Sequence, residues 1–271
     1  MGIYNSSLTR VRPFFRMLLQ CDPQGFSWLP KLLAVAPNPE LYDGTGLLSD
    51  PGPLHPTNLD KERKLPPPEA FLRWLIENPD QMTWPKNGRA SFSPETMRWR
   101  AKLMGRRDMA GGPVDQHAQL READRKEAQQ RAMAELSRCG SAGSNNKWWA
   151  FEGRTSVDCY LGTDRLRIYV EGKRTDILSP STDWYPKRNQ LIRNLESARH
   201  DSGNTPFACL VIAEEKMEQL PDSVIQDSLP HLKEQERRQL FRHFLGIITW
   251  REACEATGVN YGDLPATISA P

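Results

Sequence analysis

The residues best suited to chemistry in this sequence are an aspartate and a Glu-Gly-Lys triplet that follows it after twelve residues. Asp158 and Glu171 offer carboxylate oxygens and Gly172 offers a backbone carbonyl, and these are ligands that Mg²⁺ prefers. A bound Mg²⁺ or Mn²⁺ ion would polarise a phosphate and lower the pKa of a bound water, while Lys173 would orient that water or stabilise developing charge. These residues therefore indicate metal-dependent hydrolysis of a phosphodiester bond.

These residues act together only if two strands hold them side by side. The runs 155–161 and 166–173 are strand-like, and the Gly-Thr-Asp-Arg segment between them is a turn signal. Side chains two positions apart point to the same face of a strand, so Glu171 and Lys173 project together. A β-hairpin is therefore predicted, and its pairing brings Asp158 beside them.

Helices and a buried strand are predicted around the hairpin. Asp183 is a capping-type residue ahead of an amphipathic stretch, and Thr249 with Glu252 predicts a capping box at the start of a last helix. The predicted elements are, in order, a helix at 114–138, the hairpin, a helix at 187–199, a strand at 207–213 and helices at 222–229 and 231–248. This order predicts an α/β fold.

The aspartate and the Glu-Gly-Lys triplet resemble the motif of the PD-(D/E)XK nuclease superfamily, although Val157 stands where that motif has proline. The resemblance implies a restriction-endonuclease-like core of order α-β-β-β-α-β with a mixed central sheet, and a Mg²⁺- or Mn²⁺-dependent nuclease acting on DNA. It also implies a polar residue on the helix after the lysine strand, for which Gln190 is the candidate. A further acidic metal ligand is implied too; Glu135 and Glu152 are the alternatives, and Glu152 ranks first.

Basic residues accumulate around the predicted site. Between 147 and 199, ten Lys and Arg outnumber seven Asp and Glu. Arg174, Lys187, Arg188 and Arg193 are interpreted as contacts to backbone phosphates, with a solvated helix surface as the alternative. DNA is the expected partner, RNA stays open as an alternative, and so does a homodimer or a partner subunit.

Overall composition sets wider limits. The chain has 36 Lys and Arg against 34 Asp and Glu, so its net charge of +2 does not by itself indicate a nucleic-acid binder. It contains no apolar run of about 18 residues and begins without a signal-peptide pattern, so we expect a cytoplasmic protein with no membrane partner. The five cysteines form no CxxC pair, which predicts reduced thiols.

Proline content suggests a division of the chain. Because 13 of the 22 prolines lie between residues 23 and 94, we expect an irregular N-terminal part with short helices over 1–112. A nuclease-like core over 113–220 and a C-terminal helical segment over 221–271 follow.

A non-catalytic nucleic-acid-binding or assembly subunit with a nuclease-like fold is the alternative function, and an interaction protein with a coincidental motif is a third.

Overall fold

A computed structural model describes residues 5–39, 46–84, 93–105, 118–174, 182–218 and 220–267. Its helices are α1 (Arg12–Cys21), α2 (Leu29–Ala34), α3 (Glu69–Glu77), α4 (Pro94–Leu103), α5 (Ala118–Cys139), α6 (Gln190–Ser202), α7 (Asp222–Ser228), α8 (Glu234–Phe241) and α9 (Trp250–Thr257). Its strands are β1 (Arg63–Leu65), β2 (Thr155–Val157), β3 (Cys159–Gly162), β4 (Arg167–Gly172), β5 (Phe207–Ala213) and β6 (Phe244–Thr249). In these ranges no helix has the length and apolar character needed to cross a membrane.

Strands β3 and β4 form the predicted hairpin and begin a mixed sheet of order β3-β4-β5-β6. β3 and β4 are antiparallel, with Cys159 opposite Val170, whereas β4, β5 and β6 run parallel. Parallel neighbours need a crossover connection, and α6 supplies it between β4 and β5. The predicted α/β class and mixed sheet are confirmed.

The first predicted strand run is divided at Asp158. On one side of it, β2 pairs with the short strand β1, and on the other side β3 pairs with β4. Continuing the β3–β4 register by one position sets Asp158 opposite Glu171. The chain therefore changes pairing partner at the residue that we predicted to bind metal.

Helix α6 begins later than predicted. Asn189, not Asp183, is its N-cap, since the Asn189 side chain accepts a 2.9 Å hydrogen bond from the backbone N–H of Leu191. A turn around Pro186 precedes it, in which the Arg188 N–H donates to the Tyr185 carbonyl at 3.0 Å. The helix therefore starts at Gln190, and this residue occupies its first turn.

The C-terminal segment is not purely helical, contrary to the prediction of one helix over 231–248. Helix α8 ends at Phe241, and β6 then extends the sheet in parallel beside β5. The β-branched run from Ile247 to Thr249 favours a strand, and Gly246 adopts a positive φ of 110° at a register shift of this pair. The capping box of the following helix is confirmed, with Thr249 and Glu252 bonded to each other's backbone N–H.

One hydrophobic cluster joins all three predicted parts of the chain. Phe14 of α1, Val170 of β4 and Trp250 of α9 are fully buried in it. Because alternate residues of a strand face opposite ways, Tyr169 belongs to a second cluster on the other face, with Leu195 of α6. Helices α1, α2 and α9 thus cover one face of the sheet, and α6 covers the other.

Candidate metal-binding and catalytic site

Four of the predicted site residues, Asp158, Glu171, Lys173 and Gln190, meet at the carboxyl end of β4, beside the first turn of α6. The ammonium of Lys173 lies 2.9 Å from the carboxylate of Glu171. Gln190 connects the two, because its amide nitrogen donates to Glu171 at 3.1 Å and its amide oxygen accepts from Lys173 at 3.2 Å. The pair predicted to project together therefore does so, and Gln190 lies against it.

The second oxygen of Glu171 is held by residues that the sequence analysis did not assign to the site. The Asn194 amide nitrogen donates to it at 3.1 Å, and the Thr155 hydroxyl donates to the Asn194 amide oxygen at 2.5 Å. Asn194 lies one helical turn after Gln190, and residues four apart share a helix face. This spacing was the available signal for Asn194, whereas Thr155 comes from another strand.

Asp158 approaches the site through the backbone of Gly172. The Gly172 N–H donates to the Asp158 carboxylate at 2.9 Å. A side chain at position 172 has no room, because a Cβ there would lie 2.2 Å from Cγ2 of Val11 and 3.2 Å from Trp250. Glycine at this position allows the N-terminal segment to pack directly on the strand that carries Glu171 and Lys173.

Burial dominates the electrostatics of the two acids. It raises the pKa of Asp158 to about 6, although the Gly172 N–H lowers it, and nearby Glu62 raises it again. Burial, followed by the charge of Asp158, raises the pKa of Glu171 to about 7, although Lys173 lowers it. A buried and a partly buried carboxylate that repel each other favour a bound cation, which would replace the lost hydration.

A positive charge from the N-terminal segment also reaches Asp158. Arg12, the first residue of α1, lowers the pKa of Asp158 electrostatically. Its Nε is buried and has no hydrogen-bond partner among the described residues. Neither Arg12 nor Glu62 was predicted, because they lie more than 90 residues before Asp158 and no local pattern links them.

Glu152 and Arg188 do not have the roles that the sequence analysis gave them. The Arg188 guanidinium has no exposed surface and binds Glu152 at 2.9 and 3.1 Å, Glu196 at 2.7 Å and the Ser228 carbonyl at 2.8 Å. Glu152 is therefore committed to an internal ion pair rather than to a metal, and Arg188 is not available to a phosphate. This buried group is called the Arg188 network below.

The other predicted phosphate contacts occupy different places. Lys187 is exposed and pairs with Asp227 at 3.1 Å. Arg193 is mostly buried and donates to the carbonyls of Gly153 and Arg154 at 2.9 and 3.0 Å. Arg174 follows Lys173 and is half-buried, and its charge lowers the pKa of Glu214. Of the four, Lys187 alone is strongly exposed.

A polar cleft of about 500 Å³ opens next to the site. Gln190 and Thr155 line one end of it. Gln190 contacts Glu171 directly, whereas Thr155 is connected to Glu171 through Asn194. Lys147 and Trp184 line the remainder, together with residues of the turn before Lys147. The side chain of Gln190 thus separates the cleft from Glu171.

The site offers oxygen ligands to a metal ion. Asp158 and Glu171 are two carboxylates, with the Gly172 backbone between them, and this donor set suits Mg²⁺ or Mn²⁺ better than a soft metal. Within the described parts of the chain, no group of three or more His, Cys, Asp or Glu side chains is placed to hold a metal ion. Water and phosphate oxygens would therefore have to complete the coordination.

Comparisons of the chain with protein-family models, with curated proteins and with solved structures find no match.

Proposed function

We propose that this protein is a divalent-metal-dependent nuclease that hydrolyses phosphodiester bonds of DNA. The observation that carries the proposal is the convergence of Asp158, Glu171 and Lys173 at one strand end, with Glu171 buried, Asp158 partly buried and Lys173 2.9 Å from Glu171. Burying charged groups lowers the stability of the folded protein unless a bound cation compensates, so buried acids of this kind indicate a cation or another functional role. Perturbed titratable groups of this kind cluster at functional sites.

The order of elements around the site supports a restriction-endonuclease-like core. From α5 to β5 the chain runs helix, three strands, helix, strand, with Asp158 between the first two strands and the Glu-Gly-Lys triplet at the end of the third. The sheet is mixed, as such a core requires. We therefore propose this core, with β6 as an added parallel strand.

Each residue has a separate role in the proposed hydrolysis. Asp158 and Glu171 would hold Mg²⁺ or Mn²⁺, which supplies Lewis-acid polarisation of the phosphate when bound. Lys173 would orient the attacking water or stabilise negative charge on the phosphate. Gln190 positions both partners, since it binds Glu171 through its nitrogen and Lys173 through its oxygen.

Cleavage by the purified full chain tests this proposal. Linear, circular and single-stranded DNA are incubated with Mg²⁺, Mn²⁺ or EDTA, and the variants Asp158→Asn, Glu171→Gln and Lys173→Met are compared with Asp164→Asn. Asp164 is a matched control because it lies in the turn of the same hairpin and its side chain is 86% exposed. Circular dichroism confirms that each variant is folded.

We expect metal-dependent cleavage that falls at least about 100-fold in each site variant and is unchanged in Asp164→Asn. Cleavage that survives all three substitutions would assign the activity to another site. Absence of cleavage together with retained DNA binding would instead favour the non-catalytic assembly subunit. Cleavage of the circular substrate identifies an endonuclease.

A further inference from the structure

The polar cleft beside Gln190 has the features of a binding site for an unpaired nucleotide. Its volume of about 500 Å³ falls within the range of roughly 300–1,000 Å³ typical of small-ligand pockets. A base in a duplex is stacked and paired, so it would have to be extruded before it could enter a cleft of this size. An unpaired base meets no such cost.

Charge in the cleft suits a phosphate backbone. Lys147 is exposed on its rim, and its ammonium has no ion-pair or hydrogen-bond partner in the part of the chain that the structure describes. Of the acidic residues that line the cleft, Glu152 is paired with Arg188 and lies 3.9 Å from Arg193, which leaves Asp183. Exposed Asn146 adds an amide beside Lys147, and its positive φ of 60° turns the chain there.

An apolar wall completes the cleft. Phe151 and Trp184 pack edge to face with ring centres 5.3 Å apart, and Arg100 lies with its guanidinium carbon 4.5 Å from the centre of the Trp184 ring. Both rings line the cleft but are buried, with exposures of 2% and 7%, so they form a closed wall rather than open stacking surfaces. A positively charged groove that follows the backbone is one of the usual features of proteins that bind single-stranded nucleic acid without sequence preference, and Lys147 supplies that charge here.

We infer that this cleft binds a nucleotide of single-stranded nucleic acid next to the bond to be cut, so that the protein acts on single strands or unpaired segments rather than on intact duplex. This inference rests on the proposed nuclease function, which puts the bond to be cut beside the cleft. Gln190 fixes that placement, because the residue lines the cleft and contacts both Glu171 and Lys173. A strand seated in the cleft would therefore bring a phosphate to the acids.

One position allows the cleft to be filled without strain. Gly153 lines the cleft, and a Cβ added to it meets no heavy atom within 4 Å. Gly153→Phe would therefore place a ring in the space of the nucleotide, whereas Gly153→Ala leaves that space open. Lys147→Glu reverses the rim charge, and Lys31→Glu makes the same charge change at an exposed position of α2.

Binding is measured by fluorescence anisotropy with short labelled oligonucleotides in EDTA, where no metal-dependent cleavage occurs. Single-stranded DNA should bind more tightly than a duplex of the same sequence, and Gly153→Phe should weaken single-strand binding by about tenfold or more. Lys147→Glu should reduce the slope of log affinity against log salt by about 0.7, the value for one phosphate contact to a single strand. Gly153→Ala and Lys31→Glu should bind like the parent protein. An RNA strand of the same sequence shows which sugar the cleft accepts.

Two results would overturn the inference. One is equal or tighter binding of the duplex, and the other is single-strand binding by Gly153→Phe that equals binding by Gly153→Ala. Because these measurements need no metal, they separate this inference from the proposed activity. Binding that follows the cleft variants, without any metal-dependent cleavage, would keep the cleft assignment and reject the nuclease.

Discussion

Replacement of Arg188 by methionine tests whether this residue serves stability or phosphate binding. In the Arg188 network, the guanidinium and the two carboxylates have side-chain exposures of 0%, 1% and 6%. Arg188→Met would remove the cation that Glu152 and Glu196 share, leaving Glu152 with Arg193 at 3.9 Å and Glu196 with His231 at 2.6 Å. Removing one partner of a buried ion pair costs about 3–5 kcal/mol, because the remaining charge is uncompensated.

This loss is large enough for a direct assay. For a chain of this size each kcal/mol lowers Tm by about 2–4 °C, so thermal unfolding should shift by about 10 °C. Urea unfolding gives the free energy itself. Lys187→Met is the matched control, since Lys187 is the preceding residue, is exposed and should change stability by less than about 0.5 kcal/mol.

A compensated variant distinguishes uncompensated charge from lost packing. Adding Glu152→Gln and Glu196→Gln to Arg188→Met removes both carboxylate charges, so part of the lost stability should return. Arg188 also packs its guanidinium 3.9 Å from the centre of the Phe71 ring, and that contact would not return. A loss below about 1 kcal/mol in Arg188→Met would refute the reasoning. Reduced nucleic-acid binding at unchanged stability would instead support the phosphate contact predicted from the sequence.

Three further outcomes follow from contacts already described. Gly172→Ala should cost about 1–3 kcal/mol in urea unfolding and reduce cleavage, because the new methyl group would overlap Val11. Burial raises the pKa of Glu196, but Arg188 and its other partners lower it overall. Glu196 therefore contributes stability that is present above the unfolded-state pKa of about 4.3 and is lost as the pH falls through the lower folded-state pKa, so Glu196→Gln should be less stable than the parent near pH 7, and this difference should shrink as the pH falls. Thr249→Ala removes the cap of α9 and should cost about 1 kcal/mol in thermal or urea unfolding.

Each of these outcomes has a contrary result. Unchanged stability of Gly172→Ala would mean that the N-terminal segment does not press on β4 as described. A Glu196→Gln deficit that persists at low pH would assign the effect to shape and hydrogen bonding rather than to charge. A Thr249→Ser variant should keep the cap, so equal losses in Ser and Ala variants would contradict the capping argument.

Local patterns predicted the hairpin, the β5 strand and the capping box because neighbouring residues determine them. Two-residue alternation and a turn signal predicted the pairing of β3 with β4, and the Thr249 and Glu252 spacing predicted the start of α9. Strand β6 was missed because a short apolar run after a helix fits a continued helix equally well. Its pairing with β5, a partner more than 30 residues earlier, decided the outcome.

The same distinction separates the side-chain positions that the sequence predicted from those that it did not. Glu171 and Lys173 could be placed together from sequence, since a strand fixes the direction of side chains two positions apart. The environment of Glu152 could not be predicted from sequence, because it depends on Arg188 and Glu196, which come from a turn and a helix far along the chain. The local sequence does not determine whether such an acid binds a metal or an internal arginine, because the fold decides which of the two lies closer.

The N-terminal segment is therefore part of the site rather than an accessory to it. Val11 packs against Gly172, the residue whose N–H holds Asp158, and Arg12 follows with its charge directed at the same carboxylate. Trp250 adds a hydrogen bond from its indole N–H to the Lys173 carbonyl at 3.0 Å. Val11 and Trp250, which come from distant parts of the chain, therefore help to exclude water from this strand end, and burial is the largest cause of the raised pKa of Asp158 and of Glu171.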